Sequence, residues 1–174
     1  MIDWLTAHSN AIYVGILTGI SILFIVFLLF RPWFYISKKI SYHDFNYKFK
    51  IINFTLSKCT EIDIYLREVK VQDAFPKGKD IEHKLIPLKT KSFIYVPGII
   101  GGLMKNHRPN CMQVKCTDST LNTIIEDDNR YLELIIKARH GVSNLQTTKK
   151  RQFKHVKYVM DGKFQSGISC KKVS

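Results

Sequence analysis

From Ala11 to Phe30 the chain reads AIYVGILTGISILFIVFLLF, twenty residues with no charged side chain and no polar face. A helix over this stretch, rising about 1.5 Å per residue, is roughly 30 Å long, the thickness of a bilayer hydrocarbon core. The pattern therefore predicts one transmembrane helix. A cleaved signal peptide has a basic start, a shorter apolar run and a small-residue cleavage site; none is present, so the segment is expected to stay as a signal anchor.

Beyond Phe30 the period changes. Phe45, Tyr47, Phe49 and Ile51 alternate with Asn46, Lys48 and Lys50, the period-two pattern of a half-buried strand. Ile62, Ile64 and Leu66 alternate in the same way, and the phase then slips before Val69 and Val71, which predicts a second strand with a bulge. Residues 75–80 read as a turn, 85–88 and 92–96 as short strands, and Pro97 to Gly102 as an apolar loop. Gln113 to Cys116 is a short strand, 117–130 a polar loop or one helical turn, and Tyr131 to Ala138 a strand rich in branched apolar residues and expected to be buried on both faces. Asp161-Gly162 between 156–160 and 163–166 carries a hairpin signal. Six to eight short strands without an amphipathic helix predict a mainly-β domain, a sandwich or a barrel-like form. The expected organisation is an external tail (1–10), a transmembrane helix (11–30), a juxtamembrane linker (31–43) and a basic cytosolic β-domain (44–174).

Charge sets the orientation. All 27 lysines and arginines follow residue 30, against 13 of the 14 acids, so the part after the span carries a formal +14. The positive-inside rule then places the C-terminal domain in the cytoplasm and the N-terminus outside, in a cell inner (plasma) membrane. Trp4 on one side and Trp33, Phe34 and Tyr35 on the other suit the two interfaces. In the cytosol Cys59, Cys111, Cys116 and Cys170 are expected to be reduced thiols, with no metal-ligand spacing among them.

The motifs of nucleophilic, P-loop, zinc-protease and dinucleotide chemistry are missing, so no catalytic residue, metal or cofactor is expected. The consecutive acids Glu126, Asp127 and Asp128 match no cation-loop spacing. From Lys137 onward there are ten basic residues and one acid, a net +9 in 38 residues. Arg139 and His140 leave one strand, and Lys149, Lys150, Arg151, Lys154 and His155 enter the next. Cationic groups flanking a Gly-, Ser- and Thr-containing loop supply the charge, guanidinium forks and free N–H groups that a phosphate needs. These seven residues, with Arg108 as a further contact, form the candidate anion site. A solvated surface attracted to anionic lipid is the competing use of the same charge. No sequence-specific nucleic-acid reading is expected, since there is no recognition helix or RNP-like aromatic set. Gly15 and Gly19 make a GxxxG pair that lets helices approach, which predicts a homo-oligomer.

Two resemblances follow from these segments. The order Tyr47 to Asn53, Glu61 to Lys70 and Tyr131 to His140 resembles the immunoglobulin-like cytoplasmic domain of inward-rectifier potassium channels, although a selectivity filter is missing and ion conduction is not implied. A short N-terminal span before a basic cytosolic domain resembles bacterial anti-phage membrane effectors, including ancillary proteins of type III CRISPR systems that bind cyclic oligoadenylates. That resemblance implies a cyclic nucleotide as the anionic ligand and membrane disturbance in defence as the output. The alternative expectation is a membrane-anchored scaffold that docks a protein partner and has no small ligand.

Overall fold

The computed structural model describes residues 2–74, 78–104, 110–165, 169 and 171. A first helix, α1 (Ile2–Leu29), runs unbroken for 28 residues. Its interior holds no proline, and the hydroxyls of Thr18 and Ser21 donate to carbonyls four residues back at 2.8 Å, so these two polar groups are satisfied within the helix. The side chains described along it, those of residues 11–27 and Leu29, are all exposed. Among the described residues no helix is long and apolar enough to cross a membrane.

The rest of the chain is mainly β. In order, the elements are β1 (Phe34–His43), β2 (Asn46–Asn53), β3 (Cys59–Ala74), β4 (Gly78–Ile86), β5 (Ser92–Val96), α2 (Ile99–Met104), β6 (Cys111–Cys116), α3 (Thr120–Glu126), β7 (Arg130–His140), β8 (Gln146–Phe153) and β9 (Val159–Asp161). One sheet has the order β6-β2-β1-β9; the other has β4-β3-β7-β8, with β5 also paired to β3. Most pairs are antiparallel, whereas β9 lies parallel to β1. The two sheets face each other in a sandwich-like arrangement, their inner rows supplied by alternating residues such as Phe49 and Ile51, Ile62 and Ile64, and Leu132, Leu134 and Ile136. Phe153 joins the layers. Its buried ring lies 5.7 Å from that of Phe49 in the first sheet and 6.2 Å from Tyr158.

Several expectations are corrected. Residues 34–43 form β1 and are not a linker, so only Phe30 to Trp33 separate helix from sandwich. The alternation there is hidden by a bulge: Ile36 pairs with Ile51 and Ile40 with Phe49, which leaves Ser37, Lys38 and Lys39 opposite Lys50. The bulge in β3 falls between Thr60 and Asp63, where Glu61 has φ 48°, and not after Leu66. Val69 breaks the alternation because its side chain is buried on the outer face of the sheet. Residues 97–102 are partly helical, in α2, and Gly98 is required just before it: a Cβ there would sit 2.1 Å from the Ser57 carbonyl oxygen. Residues 75–77 of the expected turn lie outside the described residues.

Asp161-Gly162 does not close a hairpin. Gly162, at φ 109°, donates its N–H to Tyr42 O at 2.9 Å, and the chain continues across the first sheet. There it meets Lys50, a fully buried lysine whose Nζ donates to Gln165 O at 2.6 Å and also to Ser169 O. Carbonyl oxygens thus satisfy the buried ammonium, and the lysine ties the C-terminal segment over the β1 bulge.

The tight turn from β1 to β2 uses Asp44 and Phe45 at φ 51° and 55°, the pair of left-handed residues that a type I′ hairpin demands. Phe45 is 86 % exposed, so its ring returns little packing for that conformation. Phe45→Gly is expected to raise stability by about 0.5–1 kcal/mol in urea unfolding, the relief of left-handed strain less the entropy of glycine. A drop in stability would mean that the ring makes contacts that offset its strain.

Candidate functional site

Strand pairing decides where the basic residues of β8 point. Across β7, Lys149 stands opposite Ile136 and Arg151 opposite Leu134, so both share the inward-facing parity, whereas Lys150 stands opposite Ile135 on the outer face. The three consecutive cations are therefore split between faces. Lys154 and His155 follow the far end of the strand, about 17 Å from Lys149 at ~3.3 Å per residue. The Lys154 ammonium lies over the Tyr131 ring at 5.3 Å, and His155 stacks with Tyr158 at 6.4 Å. The predicted cluster is a stripe along an edge strand and not a single pocket.

Two other predicted contacts are already engaged. Arg139 faces Glu61, with Nε 3.3 Å from Oε2, and the shallow depression around it also takes in Asp63, so acids offset its charge. His140 is 1 % exposed and turned inward. Its Nδ1 accepts from the N–H groups of Val142 (3.3 Å) and Ser143 (3.1 Å), which fixes the proton on Nε2, and Nε2 donates to Ser57 Oγ at 2.7 Å. The Ser143 hydroxyl donates to the Phe30 carbonyl at 2.8 Å, and the Phe30 ring meets the imidazole edge-on at 5.4 Å. His140 is thus a positioning residue that fastens the β7–β8 turn to the end of α1. Arg108 lies outside the described residues. Gly15 and Gly19 share one face of α1, with open space where a Cβ would be.

Burial lowers the His140 pKa from its ordinary 6.5. Protonation would set an N–H against two N–H donors. The unfolded chain binds the proton more readily, so the stability from this group is complete above about pH 6.5 and is lost as pH falls through the lowered folded value. The urea midpoint is expected to drop as pH falls below about 6.5, and His140→Asn is expected to flatten that drop while lowering stability at pH 7. An equal pH response in the variant would remove His140 from the account.

What the fold does bring together is a groove of about 410 Å³ lined by Arg31, Pro32, Trp33, Phe34, Thr147, Thr148 and Lys149. It exists because both flanking strands have an open edge. Among the described residues β9 covers β1 only at Ile40 to Tyr42, and β8 pairs only with β7. The start of β1 and the start of β8 therefore face one another unpaired, just below α1. Arg31 and Lys149, both exposed, supply two cations, and no acid lines the groove. Its volume falls within the ~300–1,000 Å³ of small-ligand sites.

Of the groove's charged residues, the sequence singles out Lys149, whereas Arg31 counts there only as one of the 27 basic residues whose placement sets the orientation. Thr147 and Thr148 count there only as part of the connecting loop, because 141–148 gives no strand alternation. Among the described residues no three His, Cys, Asp or Glu side chains converge as a metal site. Asp127, in the acidic run, pairs with Arg130 at 2.9 Å and accepts the Asn129 N–H at 2.9 Å. None of the protein-family models compared with the chain matches it, and no curated protein is significantly similar to it.

Proposed function

We propose that the chain is a non-enzymatic, single-pass membrane protein whose cytosolic sandwich takes a phosphate-bearing anion, a nucleotide second messenger foremost, in the groove between β1 and β8. The observation that carries this reading is the pairing of Arg31 and Lys149 across an acid-free groove beside the end of α1. The unbroken, uncharged run at 11–30 supports the span, with the N-terminus outside.

In the groove the Arg31 guanidinium offers a bidentate fork to phosphate oxygens and Lys149 a point charge, with the Thr147 hydroxyl as a further donor. Binding there touches Arg31, directly after the residue whose carbonyl Ser143 holds, and Lys149, in the strand that follows the same turn. The ligand and the helix end therefore share one short hydrogen-bonded connection. Association through Gly15 and Gly19 gives the oligomer in which such a signal disturbs the membrane. The test is titration of the full chain in neutral-lipid nanodiscs with inorganic pyrophosphate and with linear and cyclic oligoadenylates at two salt concentrations. Saturable binding that survives the higher salt supports the reading; weak binding that vanishes with salt sinks it.

A second reading, a partner-docking scaffold, draws on the outer face of the β3–β4 pair, where Ile81 and Leu85 are exposed. Their rows also hold His83 between them and the Arg67–Glu133 ion pair across β3 and β7, so the apolar surface is interrupted.

A further inference from the structure

The end of the sandwich next to α1 is unusual in what it leaves uncovered. Trp33, Phe54, Leu56, Ile100 and Val142 are exposed there, Trp33 at 55 % and Val142 at 68 %. They come from four separate stretches of chain, and backbone bonds gather them. Phe54 N–H donates to Trp33 O at 2.7 Å, Trp33 N–H to Thr55 Oγ1 at 2.8 Å, and Ile99 and Ile100 N–H to Thr55 O and Leu56 O at 2.8 and 3.3 Å. Gly141 N–H donates to Lys58 O at 3.0 Å and sets the turn carrying Val142 beside them. Arg31 and Lys58 are exposed at the same end.

We propose that these five side chains form an apolar foot that enters the interfacial layer of the bilayer, so that the sandwich stands on the membrane in one fixed orientation. The inference rests on the reading of α1 as a membrane span. Its occupant is set by continuity and reach. The connection Phe30 to Trp33, fully extended, is at most about 14 Å long. It is also tied down, since Ser143 holds the Phe30 carbonyl and the Phe30 ring packs on His140. A domain held that closely to the end of a span cannot keep this face clear of headgroups. Tryptophan and phenylalanine favour that layer, and Arg31 and Lys58 meet the anionic leaflet beside them. The groove, which shares Trp33 with the foot, then opens at headgroup level.

The test uses the full chain in vesicles, with Trp4→Phe and Trp33→Phe removing both native tryptophans. A single reporter is then added as Val142→Trp in the foot or Phe45→Trp at the opposite end of β1. Val142 reaches the end of the span only through the folded turn, by way of Ser143 and the Phe30 carbonyl, so a signal there reports the folded sandwich and not the linker alone. Quenching by lipids spin-labelled near the headgroup is expected to be several-fold greater for Val142→Trp than for Phe45→Trp, with a blue-shifted emission. Equal, water-like behaviour of both reporters in a chain that resists alkaline carbonate extraction would overturn the foot and leave the span standing. Release of the chain by carbonate would overturn both.

Discussion

Reversing both charges of the groove, Arg31→Glu with Lys149→Glu, abolishes saturable binding of phosphate-bearing anions while the sandwich stays folded. Each cation contributes a charge-assisted contact of about 1.5–3 kcal/mol, so losing two weakens binding by at least about 3 kcal/mol, more than 100-fold, before repulsion is added. Both side chains are exposed and neither belongs to the core, so a normal unfolding curve is expected for the double variant. Lys150→Glu is the internal control. It changes the same charge one residue away on the opposite face of β8, and it is expected to alter affinity only through long-range screening. Should Lys150→Glu cost as much as the groove pair, binding would belong to the whole basic stripe.

Phe153→Ala is expected to be the most damaging single substitution in the sandwich, at about 3–5 kcal/mol in urea unfolding. The ring, carried by β8 of the second sheet, is fully buried and meets the rings of Phe49 in the first sheet and of Tyr158 in the link between β8 and β9. Its removal opens a cavity where two sheets meet and where neither backbone can collapse without breaking its ladder. Phe153 also ends β8, so the groove should loosen with it. A loss below about 1 kcal/mol would place the interlayer contact elsewhere.

How far the pattern of residues reveals this molecule depends on which interaction set each segment. Strand β6, with one buried face, shows in its alternation, as does the start of β2, and β7 shows as a segment rich in branched apolar residues from Leu132 to Ile136, interrupted only by Glu133. Strand β1 was hidden because two extra residues at Lys38 and Lys39 break its period, and because lysines beside an apolar span read as orientation markers. Strand β8 was hidden because an edge strand needs only one buried residue, Phe153, and fills the rest with polar side chains that keep the edge soluble. The Asp161-Gly162 signal was local and real as a bend, but the open edge of β1 and the buried Lys50 ammonium offered the chain better partners than its own hairpin.

The same logic governs the candidate site. Proximity in sequence made Lys149, Lys150 and Arg151 look like one cluster, and the two-residue period of β8 separated them. His140 looked like a ligand contact because its neighbours are cationic, whereas its nitrogens are spent on Ser57 and on the turn at 142–143. Arg31 joined the groove only through tertiary structure, when the starts of β1 and β8 were left unpaired against each other.

The most direct measurement is hydrogen–deuterium exchange on the full chain in nanodiscs, with and without saturating inorganic pyrophosphate or a cyclic oligoadenylate. Protection confined to residues 31–34 and 143–149 is the predicted result, because the anion sits between the open edges of β1 and β8 and steadies the turn that holds the Phe30 carbonyl. Protection confined to the Lys154–His155 end of the stripe, or no change anywhere at saturating ligand, would contradict an anion site at the junction of helix and sandwich.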